Sequence, residues 1–189
     1  MRLKTLLITG FMPFGPNDVN PSWEAVRALP ETLGEWTLVP MLLPVEYGRA
    51  VALAAEYALA EHADAILCVG LAAGRSAVTP EAIGINMRDA ALADNAGFWP
   101  QGEPIVPDGP AAYFSTLPVR KMVDAIRSES IPAALSYTAG AYVCNDLLYS
   151  LLHRFSGTDV RVAFVHVPTV DTIPLDDLVR ALKACILAI

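Results

Sequence analysis

The pattern that most narrows the fold is an alternation of short, continuously apolar runs with longer stretches of helical periodicity. Leu3 to Thr9, Asp64 to Leu71 and Arg161 to Val167 are runs of the first kind. Strands apolar along their whole length, and not only at alternate positions, are buried on both faces, as in parallel sheets covered by helices. The spacing predicts two further strands, at Trp36–Leu43 and Ala133–Tyr137. Between the strands it predicts helices from Asn20 through Leu29 and over Glu46–His62, Pro118–Glu129, Ala141–His153 and Leu175–Ile189. The stretch from Arg88 to Pro118 carries many prolines and glycines and reads as loop. No repeat, low-complexity tract or linker divides the 189 residues. The expectation is therefore a single domain over residues 1–189, an α/β/α sandwich with a mostly parallel twisted sheet. In such sheets the chemistry sits in loops at the carboxyl ends of the strands.

Composition removes several classes of function. Hydrophobic residues make up 54% of the chain and charged residues 17%, enough apolar material for a real core. Apolar residues beyond that need suggest a subunit interface, hence a homo-oligomer. The formal net charge is -7 and the 13 basic residues are scattered, which argues against nucleic acid as a partner. The amino terminus begins with two basic residues and a short apolar run, but Gly10 to Asn17 follows without a small-residue cleavage site. No uncharged apolar stretch reaches the ~20 residues that span a bilayer. A cytoplasmic address is expected, with no membrane partner. Cys68, Cys144 and Cys185 are odd in number and far apart, so neither a disulfide framework nor a paired-cysteine metal site is expected.

Three strand ends carry reactive groups. Glu81 lies beyond the third strand, Cys144 follows the turn Thr138-Ala139-Gly140, and His166 ends the run Arg161–Val167. Cys144 falls in the first turn of an expected helix, where free N–H groups lower a thiol's pKa and bind an oxyanion; a small buried cysteine is also common there. An imidazole at a strand end suits a general base, and equally a histidine satisfied by a backbone carbonyl. A glutamate such as Glu81 can orient an imidazole, or simply be solvated.

Longer motifs add to this. Gly10-Phe11-Met12-Pro13-Phe14-Gly15 with Asn20-Pro21-Ser22-Trp23-Glu24 resembles the amino-terminal signature of the pyroglutamyl peptidase I family. Val69 to Arg75 with Glu81, then Asp94-Asn95 and Gly109 to Phe114, match in order. Tyr137 to Asn145 resembles the family's nucleophile motif, and Phe164 to Pro168 its histidine motif. The similarity runs from about Leu3 to Pro168. It implies a cysteine peptidase that removes an N-terminal pyroglutamyl residue from peptides through an acyl-enzyme. Cys144 would be the nucleophile, His166 the general base and then acid, and Glu81 the group orienting His166. It implies an α/β/α fold assembled as a tetramer or dimer, and no metal or cofactor.

A pyroglutamyl residue is a neutral, flat lactam without an α-amine. Its pocket needs apolar walls and a few hydrogen bonds. By the resemblance Phe11 and Phe14 are the aromatic walls, with simple core packing as their other reading. Asn20 and main-chain groups near Leu71 and Tyr142 are candidates for the hydrogen bonds. Proline, charged and lacking the lactam oxygen, would leave site donors unpaired.

The chain departs from the family in places. Ala91 stands where many members carry an arginine that stabilises the oxyanion, three positions before Asp94-Asn95, with Arg88 nearby as a substitute. Ala82 and Leu71 replace a basic and a polar residue, and the segment after Pro168 is short. Two alternatives follow. One is a catalytically weak or inactive member that binds pyroglutamyl peptides. The other is a different α/β enzyme, such as a nucleoside phosphorylase, for which Arg75 after Gly74 is one piece of a phosphate site.

Overall fold

The computed structural model describes residues 3–15 and 18–189. Met1 and Arg2, which open the amino-terminal run, lie outside the described residues, as do Pro16 and Asn17 within the first loop. A six-stranded sheet forms the middle layer, in the order β2-β3-β1-β4-β10-β5. Its four inner strands are β3 (Trp36–Leu43), β1 (Lys4–Phe11), β4 (Ala65–Leu71) and β10 (Arg161–Val167). These four are parallel to one another. The two edge strands, β2 (Thr32–Leu33) and β5 (Thr79–Glu81), are short and antiparallel to their neighbours.

Helices cover both faces, as the continuous apolar runs require. Leu6, Ile8, Leu67, Val69, Ala163 and Val165 pack on one side. They meet α1 (Pro21–Arg27), α3 (Val119–Ser128) and α5 (Leu175–Leu187). Leu7, Ile66, Cys68, Val162 and Phe164 face the other way. Their partners are α2 (Arg49–Ala60) and α4 (Val143–Arg154). Strand alternation thus sends successive residues of one run into two separate cores.

Several expectations shift. The first strand runs past Gly10 to Phe11, because α1 lies so close that a Cβ on Gly10 would sit 2.6 Å from Trp23 Cα. Helix α2 begins at Arg49, not Glu46, since Gly48 holds a left-handed φ of 67°. Two carboxylates fix that approach, Asp94 accepting from Tyr47 N at 2.9 Å and Asp146 from Gly48 N at 2.9 Å. The segment Ala133–Tyr137 is not a strand. It runs beside β5 through two isolated bridges, Val78 to Ala133 and Glu81 to Ser136. Pro80 lies between them and has no N–H to donate, so the ladder is interrupted at its centre. The loop-rich region also contributes strands to two small antiparallel pairs. They are β6 (Ile83–Ile85) with β9 (Ala112–Phe114) and β7 (Arg88–Asp89) with β8 (Gln101–Glu103), too short for periodicity to reveal.

Candidate active site

The site lies at the carboxyl ends of β1, β4 and β10, and its geometry follows from strand register. His166 sits across from Gly70 of β4 and Thr79 of β5, and Glu81 is paired with Phe164. Glu81 is therefore the diagonal neighbour of His166 on one sheet face, within reach of a long side chain. The reach is made: His166 Nδ1 and Glu81 Oε1 are 2.7 Å apart. With Nδ1–H donated to the carboxylate, Nε2 is left as the acceptor nitrogen of the neutral ring. Glu81 is fully buried and His166 is 4% exposed.

Cys144 is the second residue of α4. The helix starts after Tyr142 because the carbonyl just before it is already occupied. Ala141 O accepts from Asp89 N at 3.1 Å and from the Tyr47 hydroxyl at 3.2 Å. Tyr142 is extended, and the first amide to bond back into the helix is Asp146 N, to Tyr142 O. The amides of the first turn are thus left pointing outward beside the thiol. Under the thiol lies Gly70, where an added Cβ would stand 3.0 Å from Cys144 Sγ and 2.7 Å from the Phe164 ring. No larger residue fits between the sheet and the sulfur.

Cys144 and His166 open onto one cavity of about 320 Å³. Its walls are Phe11, Phe14, Val45, Leu71, Tyr142 and Val143, and its floor and rim include Arg75 and the Thr138–Gly140 turn. Phe14 leans on Tyr142 at a ring separation of 6.3 Å, and Tyr142 meets Tyr47 edge-on at 5.6 Å. Among the described residues no carboxylate lines this space.

Burial governs the protonation states. The thiol of Cys144 is pushed up to about 12, first by desolvation and then by the charge of Glu81, against a downward pull from Arg75 and its own N–H. The helix start was expected to lower this thiol; desolvation outweighs it. His166 is lowered, mainly because its surroundings disfavour the imidazolium, although Glu81 works the other way. Both effects favour a neutral thiol beside a neutral imidazole at rest.

A match to the pyroglutamyl peptidase family model covers residues 4–188. The chain belongs to the pyroglutamyl peptidase family. The pyrrolidone-carboxylate peptidase of Levilactobacillus brevis is 43% identical over 97% of this chain and 96% of that protein. That of Escherichia fergusonii is 46% identical over 88% of this chain and 78% of that protein. Among solved structures, pyroglutamyl peptidase I of Bacillus amyloliquefaciens superposes with a TM-score of 0.93 at 40% identity, over 96% of this chain and 94% of that one. Pyrrolidone carboxyl peptidase of Thermococcus litoralis gives 0.93 at 32% identity, over 98% and 92%.

Against the family pattern, every residue expected to bind or react borders the cavity except Glu81, which stands behind His166. Asn20 does so with its side chain already engaged. Its Oδ1 accepts from Ser22 N and Oγ, and its Nδ2 donates to Met12 O at 3.0 Å. It caps α1 and shapes the Phe11–Phe14 loop. Arg88 does not stand in for the arginine missing at Ala91. It is bonded to the buried Asp146 at 2.7 Å, lies over the Tyr47 ring, and is absent from the cavity wall. Val45 and Arg75 also line the cavity, though neither was expected as a peptidase site residue. Val45 had no signal beyond being apolar. Arg75 stood within a matched motif, yet its contacts, to Glu81 at 2.5 Å and Thr138 O at 2.8 Å, exist only in three dimensions.

Proposed function

We propose that this chain hydrolyses the amide bond after an N-terminal pyroglutamyl residue of peptides, with Cys144 as nucleophile, His166 as general base then acid, and Glu81 orienting His166. One observation carries the reading: the cavity that exposes Cys144 and His166 is walled by apolar and aromatic side chains and has no carboxylate among its described residues. An N-terminal ammonium would enter without a counter-charge, whereas a neutral lactam loses little on leaving water. The aromatic faces of Phe11, Phe14 and Tyr142 suit a flat ring, and main-chain groups near Leu71 and Tyr142 suit its N–H and C=O.

In this reading His166 Nε2 takes the thiol proton as sulfur attacks the scissile carbonyl. Glu81 steadies the imidazolium that forms. The oxyanion develops beside the first-turn amides of α4, which donate to it in a space shielded from water. The imidazolium then protonates the departing amine. Water, deprotonated by His166, hydrolyses the thioester to release pyroglutamate. A neutral resting pair means that the proton moves during attack.

The test is release of a fluorophore from a pyroglutamyl amide and from its prolyl counterpart, in the wild type and in Cys144→Ala. Cleavage of the first compound alone, abolished by the substitution, is the expected result. A wild type that binds pyroglutamyl peptide without turnover would make this a binding member of the family, the reading that Ala91 favours. The proposal treats residues 1–189 as one catalytic domain acting in the cytoplasm as a homo-oligomer. Leu92, Phe98 and Trp99, 50%, 43% and 56% exposed on one loop, support a subunit contact that sedimentation would detect.

A further inference from the structure

Glu81 is a carboxylate held at 0% exposure, and its Oε2 has no hydrogen-bond partner among the described residues. Its charge is met through Oε1 alone. That oxygen takes His166 Nδ1 at 2.7 Å and Arg75 Nη1 at 2.5 Å. A buried carboxylate stays charged only when it is paired and hydrogen-bonded, and the neutral imidazole supplies no formal charge. Arg75 supplies it.

The same guanidinium does a second thing. Its Nη2 donates to Thr138 O at 2.8 Å, at the start of the turn that leads into Cys144. That turn closes on itself through Gly140 N to Thr138 Oγ1, and Gly140 holds a φ of 77°. Nη1 also bonds Thr79 Oγ1 on β5. The backbone carrying Arg75 is in turn fixed to the end of β10, through Arg75 N to Ala72 O and Ala72 N to Val167 O. One planar fork therefore spans the acid on β5 and the turn before α4, from a loop anchored beside His166.

We propose that Arg75 is a positioning residue that clamps Glu81 against His166 with one nitrogen and holds the Cys144 turn with the other. The inference rests on the reading of Cys144 and His166 as the reacting pair. It adds a requirement: the two halves of the site are set relative to each other by one side chain, and that side chain must be forked as well as charged.

Charge and fork have separate signatures. The charged and titratable groups that act on Cys144 are Glu81 and Cys68, which hold the thiol up, and Arg75, which pulls it down. Tyr142 and His166 complete the set around it. On His166, Glu81 raises and Arg75 lowers. Arg75→Gln removes charge and fork together, so Glu81 is no longer clamped against His166 and the thiol loses its positioned base. Arg75→Lys keeps the charge but cannot reach Glu81 and Thr138 O together.

The experiment measures the rate of Cys144 alkylation by iodoacetamide at about pH 8, read by peptide mass, which needs no turnover. In R75Q the rate is expected to fall about tenfold as the thiol loses its positioned base. In R75K it stays at the wild-type value while kcat/KM on a pyroglutamyl amide falls about tenfold, through kcat, as the geometry loosens. An unchanged alkylation rate in folded R75Q overturns the proposal, as does wild-type kcat/KM in R75K. Should R75Q not fold, R75K alone decides. A lowered alkylation rate in an enzyme whose wild type cleaves nothing would support the clamp and sink the peptidase reading instead.

Discussion

Gly70 and Cys144 approach so closely that a Cβ on the glycine would lie 3.0 Å from the thiol sulfur. The same atom would meet the Phe164 ring at 2.7 Å, so neither neighbour leaves room. Gly70→Ala is expected to lower stability by about 1–3 kcal/mol through overpacking. Because the sulfur is one of the atoms displaced, kcat should fall by about a hundredfold. Thermal unfolding and steady-state kinetics on one preparation check both. Unchanged kcat would mean that the thiol position is not set by this contact.

The second prediction concerns the ion pair behind the site. Asp146 is fully buried, and its carboxylate serves both Arg88 and the amide of Gly48. Asp146→Ala strands the Arg88 guanidinium, whose side chain is 21% exposed, and orphans Gly48 N. The expected loss is about 3 kcal/mol. The double variant Arg88→Met, Asp146→Leu should recover most of it, since apolar replacement of both partners removes the unpaired charge. Denaturant unfolding measures the two. A double variant as unstable as the single one would contradict this account.

A third prediction follows from the raised thiols. Cys68, Cys144 and Cys185 are each raised to about 12, chiefly by desolvation. The folded thiols stay protonated where those of the unfolded chain, near 9.0, ionise. Their contribution to stability is complete below pH 9 and is lost as pH rises toward 12. Each thiol adds a slope of up to about 1.4 kcal/mol per pH unit. Unfolding midpoints between pH 8 and 10.5 should fall, less steeply in Cys185→Ala. At the acid end His166 is lowered from 6.5, so stability is complete above that value and lost as pH falls below it.

Ala91 supplies the fourth. The exposed residue lies between two ties to the nucleophile turn, Asp89 N to Ala141 O and the Tyr142 hydroxyl to Ala93 O. The family resemblance assigns an arginine at this position a part in stabilising the oxyanion, and removal of one oxyanion donor costs about a hundred- to thousandfold in other enzymes. Ala91→Arg is expected to raise kcat by at least about tenfold while KM changes little. An equal kcat would show that the α4 amides already suffice.

The sequence was a good guide to the inner strands and to the helix order, because continuous apolar runs and helical periodicity report burial directly. It was a poor guide wherever a terminus is decided by a distant partner. The start of α2 depends on Asp94 and Asp146, far along the chain, receiving the amides of Tyr47 and Gly48. The start of α4 depends on Asp89 and Tyr47 capturing the carbonyl of Ala141. Ala133–Tyr137 has strand composition, but Pro80 on the neighbouring strand removes the bond that would complete the ladder.

For the site the division is similar. Cys144, His166 and Glu81 could be nominated from strand ends and motif resemblance, since residue identity is local information. That Glu81 meets His166 from 85 residues away is a matter of register between β5 and β10. That the thiol is raised and not lowered is a matter of burial, which no spacing encodes. The sequence by itself determined which reactive groups exist and on which elements they ride, because composition and periodicity fix strands and helices one at a time. Only the tertiary structure decided the direction of the Cys144 and His166 pKa shifts, the clamp made by Arg75, and the unfitness of Arg88 as a replacement donor. Those properties belong to distances between elements, and distances arise only when the sheet has closed on its helices.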